Sequence, residues 1–286
     1  MDSLEQESPI RLIEKHYQRL SKTERRVADY VRLHPDKTII SSLQLVSEKC
    51  SVSDASVLRF CRSLGFSGYQ DFKAALVPEL LKKGTSLYQE IALDDDFSSL
   101  RVNFLENLSK DITKTLDRYA EKDIDTVALK ICKAEHILIA GLAGSAGVAR
   151  IFNDCLLGLG LLSTYISDRV ELERFVSRLD SADLVFGISH SGETQEIVHA
   201  IRRGKENKAF TIGMTNFLSS PVARLADQAL LTSVPETLLG SYSCQPRIAQ
   251  LALLEFITFR ISSILKKGGE GCKEKPNKGG DLRSKS

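Results

Sequence analysis

Several features that would assign this chain to a membrane, secreted or metal-binding class are missing from its sequence. No apolar run approaches the roughly 20 residues that a membrane-spanning helix needs, and residues 1–9 are acidic and polar, unlike a signal peptide. The six cysteines contain no CxxC pair, and the histidines show no metal-ligand spacing. We therefore expect a cytoplasmic protein without a metal, whose thiols are reduced and mostly buried.

Charge is unevenly distributed along the 286 residues, although the net charge is only +2. Residues 1–83 carry 14 Lys/Arg and 11 Asp/Glu (net +3), residues 84–265 carry 18 and 23 (net −5), and residues 266–286 carry 7 and 3 (net +4). A basic front and an acidic middle indicate two modules with different partners. The last stretch has glycine pairs, lysines and almost no apolar residues, so we expect it to be disordered.

Helix-start signals recur in the first module. Ser21 and Glu24 have the spacing of a capping box, the stretch Ser41–Gln44 repeats the signature, and Ser53 stands before a further helix. That further helix, residues 54–64, places apolar residues on one face and small or basic residues on the other. Two short helices joined by three or four residues predict a helix-turn-helix whose second helix enters the major groove of DNA. A small helical bundle with solvated charged faces is the alternative on pattern alone.

The outer face of the second helix supplies the candidate DNA contacts. Ser56 and Arg59 are placed for base or phosphate contacts, whereas Arg62 and Lys73 are better placed for phosphates. The full predicted set is Ser53, Ala55, Ser56, Arg59, Arg62 and Lys73.

In the second module, short apolar runs of strand length alternate with helical patterns, which predicts a doubly wound parallel sheet covered on both faces. Two Gly/Ser loops directly follow strands, Gly141–Ser145 and Ser189–Thr194. Such sheets bind ligands beyond the carboxyl ends of their strands, and a helix N-terminus there suits a phosphate. A plain serine-glycine turn is the alternative reading of Ser189–Thr194. The first loop lacks the third glycine of a dinucleotide fingerprint, so no cofactor is predicted.

Both modules resemble parts of one known family. Ser53–Lys73, with Leu20–Ala28 and Ile39–Cys50 upstream, closely resembles the N-terminal domain of the RpiR-type bacterial transcriptional regulators. About residues 100–265 resemble the SIS (sugar isomerase) domain that these regulators carry as their sensor. The second resemblance rests on the two Gly/Ser loops and on three later stretches, Gly213–Asn216, Ser220–Asp227 and Arg247–Glu255.

Three residues depart from the family pattern. Ser51 stands where members usually carry glycine, so it must adopt a positive φ or the turn must adjust. Ala143 replaces a glycine that is common in the first loop, which would narrow the approach to a ligand. Pro246 stands where serine is more frequent.

The resemblance implies that Ser145, Ser189, Ser191 and Thr194 hold the phosphate of a phosphorylated sugar. Gly144 and Gly192 belong to the same loops. His190 is expected to contact a sugar hydroxyl or to lie at the surface, and Glu236 would reach the pocket or remain a solvated loop carboxylate. We predict no catalytic residue.

These observations predict a helix-turn-helix domain at residues 1–77, a linker at 78–98, a flavodoxin-like SIS domain at 99–267 and a disordered tail at 268–286. The expected function is a DNA-binding transcriptional regulator, a homodimer or tetramer, whose affinity for its double-stranded operator is controlled by a sugar phosphate. One alternative is a sugar-phosphate isomerase with His190, Glu193 or Glu236 as base. Another is a sugar-phosphate sensor that regulates a second protein through its front helices.

Overall fold

The computed structural model describes residues 8–82, 96–235 and 243–267. The chain divides into two compact units, Met1–Thr115 with Leu231–Ala249, and Leu116–Leu230 with Gln250–Ser286. The domain boundaries that the sequence indicates remain predictions, and the predicted disordered tail lies outside the described residues.

The described front of the chain is helical. Its elements are α1 Pro9–His16, a 3₁₀ turn Tyr17–Arg19, α2 Lys22–Leu33, α3 Pro35–Ile40, α4 Leu43–Cys50, α5 Asp54–Ser63 and α6 Tyr69–Lys82. Helix α2 ends at Leu33, and α3 begins two residues later at Pro35. Proline ends one helix and begins the next there, because its missing N–H and fixed φ are tolerated in a first helical turn.

Local capping chemistry sets these helix starts. Glu24 N donates to Ser21 Oγ at 3.4 Å and Ser21 N donates to Glu24 Oε2 at 2.8 Å, which confirms the predicted capping box. Ser42 caps α4 through Leu45 N at 3.2 Å. Ser53 occupies the cap position of α5, but its side chain makes no capping bond and its Oγ lies 2.9 Å from Ser56 Oγ instead.

Helices α2, α4 and α5 pack around one apolar core. The predicted inner face of α5 is confirmed, since Val57, Phe60, Cys61 and Leu64 are all buried. Phe60 meets Phe72 of α6 edge-on, with ring centroids 5.4 Å apart. The short α4, the turn and α5 thus form a helix-turn-helix held from behind by α2 and α6.

Helix α7, Phe97–Leu116, carries an apolar stripe that is only partly buried and consists of Leu100, Phe104, Leu108, Ile112 and Leu116. Leu100 and Phe104 of that stripe are exposed, whereas Asp111 of the same helix is buried. Asp111 accepts a hydrogen bond from Gln245 Nε2 at 2.6 Å, which provides the buried carboxylate with a partner.

From residue 121 onward, helices alternate with strands. The elements are α8 Glu121–Lys133, β1 Ile137–Gly141, a 3₁₀ turn Ala143–Ser145, α9 Ala146–Gly158, β2 Ser163–Ile166, α10 Arg169–Val176, β3 Leu184–Ile188, α11 Gln195–Glu206, β4 Phe210–Thr215, α12 Pro221–Leu225, β5 Gln228–Leu231 and α13 Gln245–Lys267.

The five strands form one parallel sheet in the order β2-β1-β3-β4-β5. This is the flavodoxin-like order, so the predicted doubly wound fold is confirmed. One face packs against α8, α9 and α13 around Phe152 and Phe186, and the other face packs against α10, α11 and α12 around Val185 and Ile201. Both sheet faces are therefore covered, which is why β1 and β3 are apolar along their whole length.

Helix α13 is long and apolar enough to cross a membrane by length and composition alone. It contains Arg247, Glu255 and Arg260, so it is not an uninterrupted apolar run. The helix nevertheless packs as a core element, because Leu253, Leu254, Ile257 and Ile261 are buried against the sheet. That packing accounts for part of its apolar character, whereas Phe256 and Phe259 of the same helix are exposed.

The described cysteines are free thiols in different surroundings. Burial raises the pKa of Cys50 to about 11 and that of Cys61 to about 12, so both are protonated core residues at neutral pH. Cys244 is exposed, and two further cysteines are half-buried. Cys272 lies outside the described residues.

The side-chain amide of Gln250 in α13 is buried without hydrogen bonds that would offset the loss of its hydration. Its side chain is 0% exposed, and neither amide atom has a hydrogen-bond partner in the described chain. An unpaired buried polar group destabilises a fold by about 1–3 kcal/mol.

We therefore expect Gln250→Leu to raise the free energy of unfolding by about 1–2 kcal/mol, because leucine fills a similar volume without stranded polar atoms. Gln245→Leu in the same helix is the matched control and should destabilise, since it leaves buried Asp111 without this donor. Urea unfolding of both variants measures the difference. A destabilised Gln250→Leu protein would show that this amide is satisfied in solution.

Candidate functional sites

The two Gly/Ser loops begin at neighbouring points of the sheet. Gly141 and Ile188, the last residues of β1 and β3, are register partners in adjacent parallel strands. Helix α9 then leaves toward one face of the sheet and α11 toward the other. The strand order reverses between β1 and β3, and this switch point is where open α/β sheets form a ligand crevice.

Hydroxyl groups organise the second loop from within. Ser189 is 2% exposed, its Oγ accepts from Gly192 N at 3.0 Å, and it lies 2.9 Å from Thr194 Oγ1. Ser191 Oγ accepts from Glu193 N at 3.3 Å. Thr194 is the residue before α11, and its side chain makes no capping bond. These hydroxyls lie in the loop that leads into the N-terminus of α11, where the first-turn amides have no intrahelical acceptors. Such an arrangement suits the binding of an anion.

Gly192 is required by the shape of this loop. Its φ is +66°, and an added Cβ would lie 2.1 Å from Ser220 Oγ and 2.6 Å from Thr215 Oγ1. Gly192 O also accepts from Val222 N at 3.1 Å. The backbone of the loop is thus pressed against the segment that follows β4, a contact that only glycine permits.

The first loop presents Ser145 at the start of α9. Ser145 is buried, its N–H donates to Leu142 O at 3.0 Å, and its side chain makes no capping bond to the helix. Ala143 has φ +48° and is exposed beside exposed Gly144. The alanine that departs from the family pattern therefore adopts a left-handed conformation at the mouth of the loop.

His190 is not a surface residue, so one of its two expected placements is wrong. Its side chain is buried. Its backbone carbonyl accepts hydrogen bonds from Asn216 N at 2.9 Å and from Thr215 Oγ1 at 3.0 Å. The ring lies edge-on to Phe217, with centroids 6.0 Å apart. Glu236, the other residue expected near the pocket, lies outside the described residues.

On α5, the predicted DNA-reading helix, Arg59 and Arg62 are exposed, as are Ser53 and Ala55. Ser56 is 3% exposed, and its Oγ accepts from Arg59 Nη2 at 2.9 Å. The expectation that Ser56 contacts a base therefore needs correction. Its hydroxyl instead orients the guanidinium of Arg59, which makes Arg59 the candidate reader.

Lys73 also needs correction as a phosphate contact. It is 5% exposed, its Nζ donates to Ser41 O at 3.1 Å, and the ammonium lies 5.5 Å from the centre of the Tyr69 ring. The lysine therefore binds the carbonyl that ends α3 and ties α6 to it. An ammonium held in this way is not presented to DNA.

Ser51 forms the turn between α4 and α5 by adopting a left-handed backbone conformation that is strained for serine. Its φ is +50° in the left-handed region, and its N–H donates to Glu48 O at 2.9 Å. Serine thus reproduces the helix end that glycine would make, at a conformational cost of about 1 kcal/mol.

Comparisons with known proteins agree with this architecture. Residues 9–83 match the family described as "Helix-turn-helix domain, rpiR family", and residues 130–260 match the SIS domain. The chain is 32% identical over 249 residues to the uncharacterized HTH-type transcriptional regulator YbbH of Bacillus subtilis (strain 168), covering 87% of this chain and 88% of YbbH. It is 28% identical over 245 residues to the regulator HexR of Escherichia coli (strain K12), covering 86% and 84%.

Among solved structures, the Vibrio vulnificus NanR protein complexed with ManNAc-6P shares the fold, with a TM-score of 0.69 and 23% identity over 92% of this chain and 93% of NanR. A helical DNA-reading module joined to a doubly wound SIS module defines a class of bacterial regulator. This chain belongs to the RpiR family of that class, and it is a transcriptional regulator.

Sequence reasoning missed two groups that support these sites. Glu24 and Ser63 are joined across α2 and α5 by a 2.7 Å hydrogen bond, and Thr215 and Ser220 form the wall against Gly192. The capping box identified Glu24 only as a local helix residue. Ser220 was noticed only as part of a resembling stretch, because neither contact has a signature in a single segment.

Proposed function

We propose that this regulator binds a phosphorylated sugar between its two Gly/Ser loops and that the bound ligand changes its affinity for operator DNA. The observation that carries the proposal is the adjacency of the two loops. Gly141 and Ile188 pair in register, so Ser145 and the hydroxyls of residues 189–194 extend from neighbouring strand ends.

The chemistry of the loops favours an anionic group. Two helix N-termini, those of α9 and α11, direct their positive dipole ends and first-turn amides to the crevice. Ser145, Ser189, Ser191 and Thr194 add neutral donors. Neutral donors at paired helix N-termini bind a phosphate while leaving the sugar to be selected by other side chains. His190 is one of these, a buried ring beside the loop hydroxyls.

The NanR structure supports a phosphosugar ligand, because NanR is complexed there with ManNAc-6P and shares this fold. Control of DNA binding requires that the ligand bind more tightly to one arrangement of the regulator than to another. We also propose a cytoplasmic location, where both DNA and sugar phosphates are found.

The active form that we propose is at least a homodimer. One helix-turn-helix reads only a half-site, and a two-fold protein matches a palindromic operator. Helix α7 offers apolar surface for a second copy, since it exposes Phe97, Leu100, Val102, Phe104 and Leu105.

A thermal-shift screen against a panel of sugar phosphates tests ligand binding, because a ligand specific for the folded state raises the melting temperature. We expect at least one member to do so, and Ser145→Ala to weaken its affinity roughly tenfold by removing one hydrogen bond to a charged group. Ligand-free stability and DNA binding should be retained, because the Ser145 side chain caps no helix.

Ser163→Ala is the matched control. Ser163 is another buried serine, but it begins β2 and its Oγ donates to Asn153 O at 3.4 Å. It therefore lies at the amino end of the sheet, away from the crevice. An unchanged ligand titration for Ser145→Ala, or equal losses for both variants, would contradict the proposed site.

The alternative is a sugar-phosphate isomerase using the same crevice. Solved structures with this fold include a Bacteroides fragilis chain titled as a putative phosphosugar isomerase involved in capsule formation, with a TM-score of 0.52 at 17% identity. Incubating the pure protein with ketose and aldose phosphates distinguishes the two functions. The regulator proposal predicts binding without turnover, whereas interconversion lost on His190→Asn would favour the enzyme.

A further inference from the structure

A buried carboxylate stands behind the DNA-reading helix. Glu24 of α2 is 8% exposed; its Oε2 accepts from Ser21 N at 2.8 Å and its Oε1 accepts from Ser63 Oγ at 2.7 Å. The first of these bonds only caps α2. The second ties α2 to the last residue of α5. A negative charge this close to a DNA-reading helix repels DNA phosphates and would weaken binding to any duplex. We therefore asked which role would favour a carboxylate at this position.

The geometry of α5 brings Arg59 to the same carboxylate. Arg59 and Ser63 are four residues apart, so they share one face of the helix, and Ser63 is bonded to Glu24. On its other side, Arg59 Nη2 donates to Ser56 Oγ at 2.9 Å. The exposed guanidinium is thus hydrogen-bonded to a buried hydroxyl on the helix face that also meets a buried charge.

The charge state of Glu24 agrees with this arrangement. Burial alone would raise the pKa of Glu24, but hydrogen bonds from Ser21 and Ser63, together with the positive charge of Arg59, leave the pKa below its ordinary value. Glu24 is therefore ionised at neutral pH and exerts a full negative charge on its surroundings.

We infer that Glu24 is a specificity-determining positioning residue, which holds Arg59 back from the phosphates of arbitrary DNA and leaves it for a base edge. This inference rests on the proposed operator binding. Without the carboxylate, Arg59 is drawn to the nearest phosphate of any duplex. With the carboxylate, a phosphate contact requires Arg59 to give up its bond to Ser56 and to move away from the attraction of Glu24.

A guanine edge is different because it offers two acceptors in the fixed geometry of a guanidinium fork. Arg59 can meet such an edge from its held position, whereas random DNA receives only the repulsion between Glu24 and the phosphates. Discrimination of this kind comes from weakening the wrong complex rather than strengthening the right one.

Glu24→Gln tests the inference, because the amide oxygen of glutamine can still accept from Ser21 N and complete the capping box, while its Nε2 donates to Ser63 Oγ. The link between α2 and α5 is then kept with its direction reversed, and the charge is removed. The probes are a duplex enriched from a random-sequence library by the wild-type protein, and a random duplex of the same length. We expect affinity for the random duplex to rise roughly tenfold, because removing the charge frees Arg59 for one phosphate contact, and the ratio of enriched to random affinity to fall by about the same factor.

Ser63→Ala is the control for a purely structural role, since it breaks the bond between α2 and α5 and keeps the charge; it should leave the ratio within about twofold. In an Arg59→Ala background, Glu24→Gln should no longer change the ratio. Equal weakening of both duplexes by Glu24→Gln, or an unchanged ratio, would overturn the inference. A wild-type protein that enriches no duplex would instead refute the proposed operator binding.

Discussion

Gly192→Ala is expected to remove ligand binding and to lower the free energy of unfolding by about 2–4 kcal/mol. Two effects combine. The residue has φ +66°, which alanine adopts only with strain, and the new Cβ would lie 2.1 Å from Ser220 Oγ and 2.4 Å from Ser220 Cβ. The loop must then retreat from the segment after β4, which displaces Ser189 and Ser191.

Gly147→Ala provides the matched control for this experiment. Gly147 lies in the first turn of α9 beside the other loop, and an added Cβ there meets nothing within 4 Å. Alanine favours helix over glycine by up to about 1 kcal/mol, so this variant should be slightly stabilised and should still bind ligand. Chemical unfolding measures the stability of both variants, and a ligand titration measures their affinity for the ligand. A Gly192→Ala protein of normal stability would show that the loop is not packed as described.

Arg59→Ala is expected to weaken operator binding by about 1–3 kcal/mol if Arg59 makes a bidentate base contact, and to relax selection at one base pair. The structural reason is its position, exposed on α5 and oriented by buried Ser56. Operator and random duplexes should be affected differently, because random DNA offers no matching edge.

Arg62→Ala is the control for a phosphate contact. Arg62 is exposed on the last turn of the same helix, and its loss should weaken all duplexes about equally and reduce the salt dependence of binding. Fluorescence anisotropy at several salt concentrations separates the two cases. If Arg59→Ala weakens operator and random DNA equally, Arg59 is a phosphate contact and the specificity role proposed for Glu24 fails with it.

Features that depend on neighbouring residues could be predicted from the sequence. The capping box of Ser21 and Glu24, the inner face of α5 and the alternation of strands and helices are local patterns, and all are confirmed. The adjacency of the two Gly/Ser loops could also be predicted, for a different reason. Parallel strands place their carboxyl ends at one edge of the sheet, so loops that follow neighbouring strands must meet.

Features that depend on contacts distant in sequence could not be predicted. Lys73 reads as a surface charge, but the carbonyl of Ser41, 32 residues away, and the ring of Tyr69 bind it inside the bundle. Ser56 reads as a base contact because the helical pattern does not show that Ser53 and Arg59 occupy its hydroxyl. The link between Glu24 and Ser63 spans 39 residues and has no local signature.

The central claim is that a sugar phosphate in the crevice of the SIS domain controls DNA binding. The most direct measurement is the dissociation constant of the library-enriched duplex, with and without a sugar phosphate that raises the melting temperature, for the wild type and for Ser145→Ala. The account predicts that the ligand shifts the dissociation constant of the wild type severalfold, a coupling of about 1 kcal/mol or more, and that Ser145→Ala requires roughly ten times more ligand for the same shift. A ligand that stabilises the protein and leaves its DNA affinity unchanged would contradict the account.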